Sequence, residues 1–186
     1  MHIVAKIAPL LALAVAACSS GRDLPPMPDG QEAAYHLGPG DTVRIITVGS
    51  EPLTGQFQVD YAGNVATPLL GIVPAAGLTP QQLQARMESR LQQANLLNHP
   101  SVSIEVTTYR PFYILGEVTK PGAYPYQPGM TVLQAVSLAG GYTYRAETDC
   151  AAIQRQATDH TTKGCGYAES HVVPGDTITV YEQRRF

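Results

Sequence analysis

One tetrapeptide, Pro-Gly-Asp-Thr, occurs twice, in GPGDTVRIITV at 38–48 and in VPGDTITVYE at 173–182, and both copies run into β-branched residues. Proline fixes φ at about −65°. The glycine after it can take positive φ, and together they make a type II turn. The aspartate that follows accepts hydrogen bonds from nearby backbone N–H groups, and the threonine starts a strand. Such a motif is explained without a ligand. Pro39, Gly40, Asp41, Pro174, Gly175 and Asp176 are therefore read as structural turns, with Asp41 and Asp176 as turn locks rather than acids or metal ligands. Each copy opens a strand in one half of the chain.

Between the copies, short strands alternate with two helices. Val43–Val48 reads as a buried strand, and Gln56–Asp60 and Val65–Thr67 flank Tyr61-Ala62-Gly63-Asn64, a hairpin signal. Pro68–Val73 is expected as an edge strand, because Pro68 cannot donate to a ladder. The clearest helix is Thr79–Leu96. Thr79 and Gln82 form a capping box, Pro80 suits the first helical position, and Leu83, Met87, Leu91 and Ala94 make one apolar stripe. Such a stripe faces a core. Asn98-His99-Pro100 is expected to end the helix. Val102, Ile104 and Val106 alternate with polar residues as a half-buried strand, and Pro111 sets a boundary. Beyond it, Phe112–Gly116 is a strand, Lys120–Ala123 a turn and Tyr124-Pro125-Tyr126 extended. Thr131–Ala139 is a short helix stopped by Gly140-Gly141, with one of the two glycines left-handed. Ala151–Arg155 and Thr177–Tyr181 are further strands, and the segment between them reads as a loop or distorted hairpin. The expected fold is α+β: two small mixed-sheet domains, each with a helix.

The beginning of the chain stands apart. One positive residue, Lys6, precedes an apolar run, Ile7–Ala17, too short to span a bilayer. The junction Val15-Ala16-Ala17-Cys18 resembles a bacterial lipoprotein signal, although that pattern usually has leucine where Val15 stands. The resemblance implies cleavage before Cys18 and acylation there, an anchor of several chains. Ser19 and Ser20 resemble the outer-membrane address. An ordinary secretory signal is the plainer alternative. Residues 1–17 are then the signal peptide, and 18–34, rich in Pro, Gly and polar residues, a lipid-anchored tether.

Without residues 1–17 the chain carries eleven basic against fifteen acidic side chains, a net charge of −4. It has no basic stripe, which argues against nucleic acid as a partner. With Cys18 acylated, Cys150 and Cys165 remain as a pair in an oxidising compartment. A disulfide between them is favoured over a zinc site with His160 and His171, whose spacings match no template. Free thiols are the third alternative.

Catalytic motifs are missing from the sequence. It holds no phosphate-binding glycine loop, dinucleotide fingerprint or nucleophile elbow, and its five histidines are scattered. No catalytic residue, cofactor or metal is assigned. Tyrosine is the odd component, at ten residues against three Phe and no Trp. Tyr124 with Tyr126, and Tyr142 with Tyr144, would each share a face if extended. They could meet sugar or a partner subunit, or simply pack half-buried with wet hydroxyls.

Tyr35-His36-Leu37-Gly38-Pro39-Gly40-Asp41, Val59–Val65, Pro68-Leu69-Leu70-Gly71 and Ala76-Gly77-Leu78-Thr79 resemble the polysaccharide export domain. Ile114–Val118 with Lys120–Tyr124, and Thr131–Ala135 leading to Ala139-Gly140-Gly141, resemble the soluble-ligand-binding β-grasp (SLBB) domain. In this order they resemble the outer-membrane, Wza-like polysaccharide export lipoproteins over about 35–182. The resemblance implies an export domain at 35–110 and a β-grasp domain at 111–186. It implies a homo-oligomeric closed ring on the periplasmic face of the outer membrane. That ring would conduct capsular or exopolysaccharide passively, with an inner-membrane polysaccharide copolymerase as partner. One β-grasp domain rather than two, and no amphipathic helix at Val180–Phe186, depart from the longest members. A separate outer-membrane β-barrel, or a helix supplied by another chain, is the partner expected from that. The rivals are a periplasmic ligand-binding module and an oligosaccharide-modifying enzyme.

Overall fold

The computed structural model describes residues 23–28, 34–156 and 160–183. Cys18, the signal peptide and most of the expected tether lie outside them. The fold is α+β, with two helices, ten strands and two separate hydrophobic clusters among the described residues.

The first half is built on β1 (Thr42–Thr47), which starts at the first Pro-Gly-Asp-Thr copy. It pairs antiparallel with β2 (Gly55–Gln58) on one side and β5 (Val102–Thr108) on the other. Residues of β1 alternate between buried and open positions, so Val43, Ile45 and Thr47 point to one core. β3 (Asn64–Thr67) and β4 (Gly71–Pro74) form their own antiparallel hairpin. The expected β2–β3 hairpin is reduced to one bridge, Val59–Val65. Asp60 closes it by accepting from the Asn64 N–H at 2.8 Å. Pro68–Leu70 is the turn of the β3–β4 hairpin rather than strand, with Leu69 at φ 66°.

Helix α1 (Pro80–Gln93) begins as the sequence reads, with both capping-box bonds made between Thr79 and Gln82. Leu83, Met87 and Leu91 are wholly buried, each contributing about 1.5–3 kcal/mol. The helix ends earlier than expected. Asn95 turns left-handed (φ 53°), and the Leu96 N–H reaches back to the Leu91 carbonyl. Ala94 is thereby an exposed cap, not a stripe member. Arg86 and Arg90 donate to the Pro74 and Ile72 carbonyls, which fastens the β3–β4 hairpin to the helix.

The second half is a five-stranded mixed sheet in the order β7-β6-β10-β8-β9. Its strands are β6 (Phe112–Gly116), β7 (Gly122–Tyr124), β8 (Ala146–Gln156), β9 (Thr161–Gly166) and β10 (Thr177–Glu182). β6 and β10 run parallel in the middle, and every other pairing is antiparallel. Helix α2 (Val132–Leu138) repeats the capping box through Thr131 and Gln134. It packs Val132, Ala135 and Val136 into the core beside Phe112, Ile114, Ile153 and Ile178. Both Gly140 and Gly141 take positive φ, 81° and 86°, where one was expected. β8 is eleven residues long, and its antiparallel partner β9 makes a hairpin of the segment read as a loop or distorted hairpin.

Gly116 marks the tightest backbone approach. At φ 86°, a Cβ there would lie 2.0 Å from the Val180 carbonyl oxygen. Only glycine lets β6 end against β10, where the Glu117 N–H donates to that same oxygen at 2.9 Å.

Candidate functional site

The two Pro-Gly-Asp-Thr turns fold alike. In each, the aspartate N–H closes the turn on the residue three before it, Gly38 or Val173, at 3.1 Å. Gly40 and Gly175 take φ of 95° and 87°, as a type II turn requires. Both carboxylates are fully buried. Asp41 Oδ2 accepts from the Gly38 N–H at 2.8 Å, and Asp176 Oδ2 accepts from the Val173 N–H at 2.9 Å.

Each aspartate also holds an arginine that the sequence reading did not assign. Arg110 donates its backbone N–H to Asp41 Oδ1 at 2.8 Å and its Nη1 to Oδ2 at 3.1 Å. Arg155, on β8, grips Asp176 with Nε at 3.0 Å and Nη2 at 2.8 Å. Arg155 also donates to the His171 carbonyl. A buried carboxylate needs such partners, because an isolated charge in a low-dielectric interior is costly. Burial still pushes the Asp176 carboxyl above the usual aspartate range, against the opposing pull of Arg155.

Arg110 stands where the halves meet. Its Cβ side approaches Gly40, and a Cβ built on Gly175 would lie 2.8 Å from its Nε. The first turn's arginine therefore lies over the second turn's glycine. Gly175 N–H donates to the Pro111 carbonyl across the same joint. Tyr35 adds its hydroxyl, which donates to Asp41 Oδ2 at 2.5 Å and accepts from Arg110 Nη1 at 2.8 Å. Burial and the Asp41 bond push the Tyr35 hydroxyl far above the ordinary tyrosine range, so it stays protonated as a donor. Tyr109 stacks edge-on between Tyr35 at 5.1 Å and Tyr126 at 5.4 Å, a ladder from one half to the other.

The other tyrosines behave differently from one another. Tyr124, Tyr126 and Tyr142 pack half-buried against the second core. Tyr124 also stacks on Phe112 and donates to the Lys120 carbonyl. Tyr142 and Tyr144 do not share an extended face: Tyr142 bridges Val118, while Tyr144 sits in a turn, 86% exposed. Cys150 and Cys165 are joined, with Cα atoms 5.5 Å apart, across the β8–β9 hairpin. Among the described residues, no three His, Cys, Asp or Glu side chains are placed to hold a metal. Among them, too, no helix is long and apolar enough to cross a membrane.

The joint therefore supplies rigidity, and no nucleophile–base pair is apparent in it. Arg110 and Arg155 reach their aspartates from 69 and 21 residues away, too far for any local spacing to reveal the pairing. The local signals were Tyr35, six residues before Asp41, and Tyr109-Arg110-Pro111 at the boundary itself.

This two-part architecture matches known families part by part. Residues 29–107 match the polysaccharide biosynthesis/export protein family, and residues 111–164 match the SLBB domain. The chain thus carries, in order, the two domains of the Wza-like polysaccharide export proteins. It is 34% identical over 142 residues to the exopolysaccharide production protein ExoF of Rhizobium meliloti, covering 70% of this chain and 32% of ExoF. It is 31% identical over 109 residues to the polysialic acid transport protein KpsD of Escherichia coli, covering 58% of this chain and 19% of KpsD. It is 28% identical over 105 residues to the EPS I polysaccharide export outer membrane protein EpsA of Ralstonia nicotianae, covering 55% and 27%. The chain spans about a third or less of the length of these relatives. The matched families are those of export and transport proteins rather than enzymes.

Proposed function

We propose that this chain is a non-catalytic component of a polysaccharide export conduit in the cell envelope. The observation that carries the reading is the ordered pair of export and SLBB domains, with similarity to ExoF across 70% of the chain. In this reading residues 35–110 and 111–186 are its two domains. Cys18 is acylated and anchors it to the periplasmic face of the outer membrane. Copies close into a homo-oligomeric ring, and an inner-membrane copolymerase supplies the energy.

The surface supports lateral assembly. Val48, Leu69 and Ile72 on the first half, and Tyr113 and Leu115 on β6, are large apolar side chains left open. A ring covers such surface and its strand edges together.

The test is the mass of the detergent-extracted, lipidated protein, by native mass spectrometry or light scattering. One large closed oligomer is expected, along with loss of secreted polysaccharide when the gene is deleted. A strict monomer across concentrations and detergents would sink the ring.

A second reading, a periplasmic ligand-binding module, has one observation in its favour. An open depression of about 480 Å³ lies beside α2, lined by Gln127, Pro128, Gly129, Met130, Gln134, Ser137 and Leu138. A monomer that binds a small sugar there with a measurable heat would move this reading forward.

A further inference from the structure

Residues 23–28 precede the export domain in sequence, yet they sit on the other half of the molecule. Pro26 bridges Cys165 in parallel. The Met27 N–H donates to the Cys165 carbonyl at 2.7 Å, and the Cys165 N–H donates to the Pro25 carbonyl at 2.7 Å. Both bonds come from the neighbours of Pro26, so its missing N–H costs nothing. Proline is tolerated at such an edge position, where its nitrogen faces away from the partner strand.

The receiving surface is shaped for this segment. A Cβ on Gly164 would lie 2.8 Å from the Met27 Cα, 3.0 Å from its N and 3.0 Å from the Pro25 oxygen. These are backbone atoms, which cannot swing aside. Gly164 has no positive φ, so close approach, not backbone conformation, is what demands glycine there. Met27 is buried in the second core and not in the first. Arg155 completes the grip with a 3.2 Å bond from Nη1 to the Pro28 carbonyl. The arginine that locks the second turn thus also holds the segment.

We propose that Leu24–Pro28 is a docked strap, held in a strand-acceptor slot formed by Gly164 and Cys165 on the β9 edge, and that it fastens the lipid-bearing end of the chain to the β-grasp half. The occupant of the slot is this chain's own N-terminal segment. At Cys165 the strap also covers part of one of the two outer edges of the five-stranded sheet. Its membrane consequence rests on the acylation of Cys18 in the reading above. Six residue steps from Cys18 to Leu24 reach at most about 20 Å. The β9 edge, not the export half, is then the part held close to the bilayer.

Hydrogen exchange on the full lipidated protein in detergent tests the slot. The Met27 and Cys165 amides should be protected, and Gly164→Ala should speed both by about tenfold or more while Ile178, in the sheet centre, keeps its protection. Met27→Ala should act in the same direction without touching the slot itself. A Met27 amide that exchanges at the unprotected rate in the unmodified protein overturns the proposal. So does a Gly164→Ala protein in which Met27 and Cys165 exchange unchanged. The intact mass reads the anchor separately: an unacylated Cys18 overturns the membrane consequence, whatever the exchange shows of the strap.

Discussion

The turn at Asp41 and the turn at Asp176 share four residues, one closing hydrogen bond of 3.1 Å and a fully buried carboxylate, yet they recruit their arginines by different routes. Asp176 takes Arg155 from β8, within its own sheet, through Nε and Nη2. Asp41 takes Arg110 from the boundary after β5, and uses that residue's backbone as well as its side chain. The second turn is locked inside one domain. The first is locked by a residue that also lies against the second turn. A repeated tetrapeptide therefore yields the same local geometry twice, while tertiary context decides whether it serves a domain or the joint between domains.

The sharpest way to break the comparison is to remove each carboxylate. Asp41 satisfies four donors: the Tyr35 hydroxyl, the Gly38 N–H, and the backbone N–H and Nη1 of Arg110. Asp176 satisfies three, the Val173 N–H and two from Arg155. Asp41→Ala should cost about 3 kcal/mol and Asp176→Ala about 2 kcal/mol, since both arginine heads keep some contact with water. Urea unfolding of the two variants gives the order. An Asp176→Ala protein less stable than Asp41→Ala would show that the joint matters less than the sheet.

Cross-linking sharpens the contrast between halves. The described residues hold one disulfide, in the second half, closing a separation of 15 residues. Its reduction should cost about 3 kcal/mol in the chain-entropy model. Proteolysis after reduction should open the β8–β9 region first and leave α1 and β1 protected. Simultaneous loss of both halves would mean that the joint makes them one cooperative unit.

Much of this was legible locally. The Thr79–Gln82 capping box, the Leu83-Met87-Leu91 stripe and both turns lie within a few residues of their causes, so a pattern can carry them. Three features did not. The end of α1 is set by Asn95 taking a left-handed conformation, which competes with the stronger-looking Asn98-His99-Pro100. β9 carries Thr, Lys and two glycines, because Gly164 and Gly166 meet neighbouring atoms where a side chain would clash. Arg110 and Arg155 lie 69 and 21 residues from their aspartates. No periodicity spans such distances, and only the folded chain pairs them.

Smaller effects test whether Arg110 couples the turns. Gly40→Ala and Gly175→Ala both force alanine to positive φ, at about 1–2 kcal/mol each. At Gly40 the new methyl would meet the Arg110 Cβ at an ordinary 3.6 Å, but at Gly175 it would meet Nε at 2.8 Å. Gly175→Ala should therefore cost more in the native background than beside Arg110→Ala, with a coupling of about 1 kcal/mol. Additive costs would place Arg110 outside the second turn.

The smallest difference is electrostatic. Burial raises the Asp176 carboxyl above its ordinary value, and Arg155, through its hydrogen bonds and charge, pulls the other way. A raised acid binds its proton in the folded chain at a pH where the unfolded chain, at about 3.9, has lost it. Its contribution to stability is then most favourable below the unfolded value. It declines as pH rises from there through the folded value, and no further change follows above it. Acid unfolding of this protein must therefore come from other carboxylates. Carbon-detected titration of the Asp176 carboxyl should place its midpoint above that of an unfolded aspartate. Arg155→Met should move the midpoint higher still, because the lowering partner is gone while the burial stays. A midpoint at or below the unfolded value would mean that the two Arg155 bonds outweigh the burial. The second turn would then draw stability from its ion pair as pH rises through that window, which is the reverse of the dependence expected here.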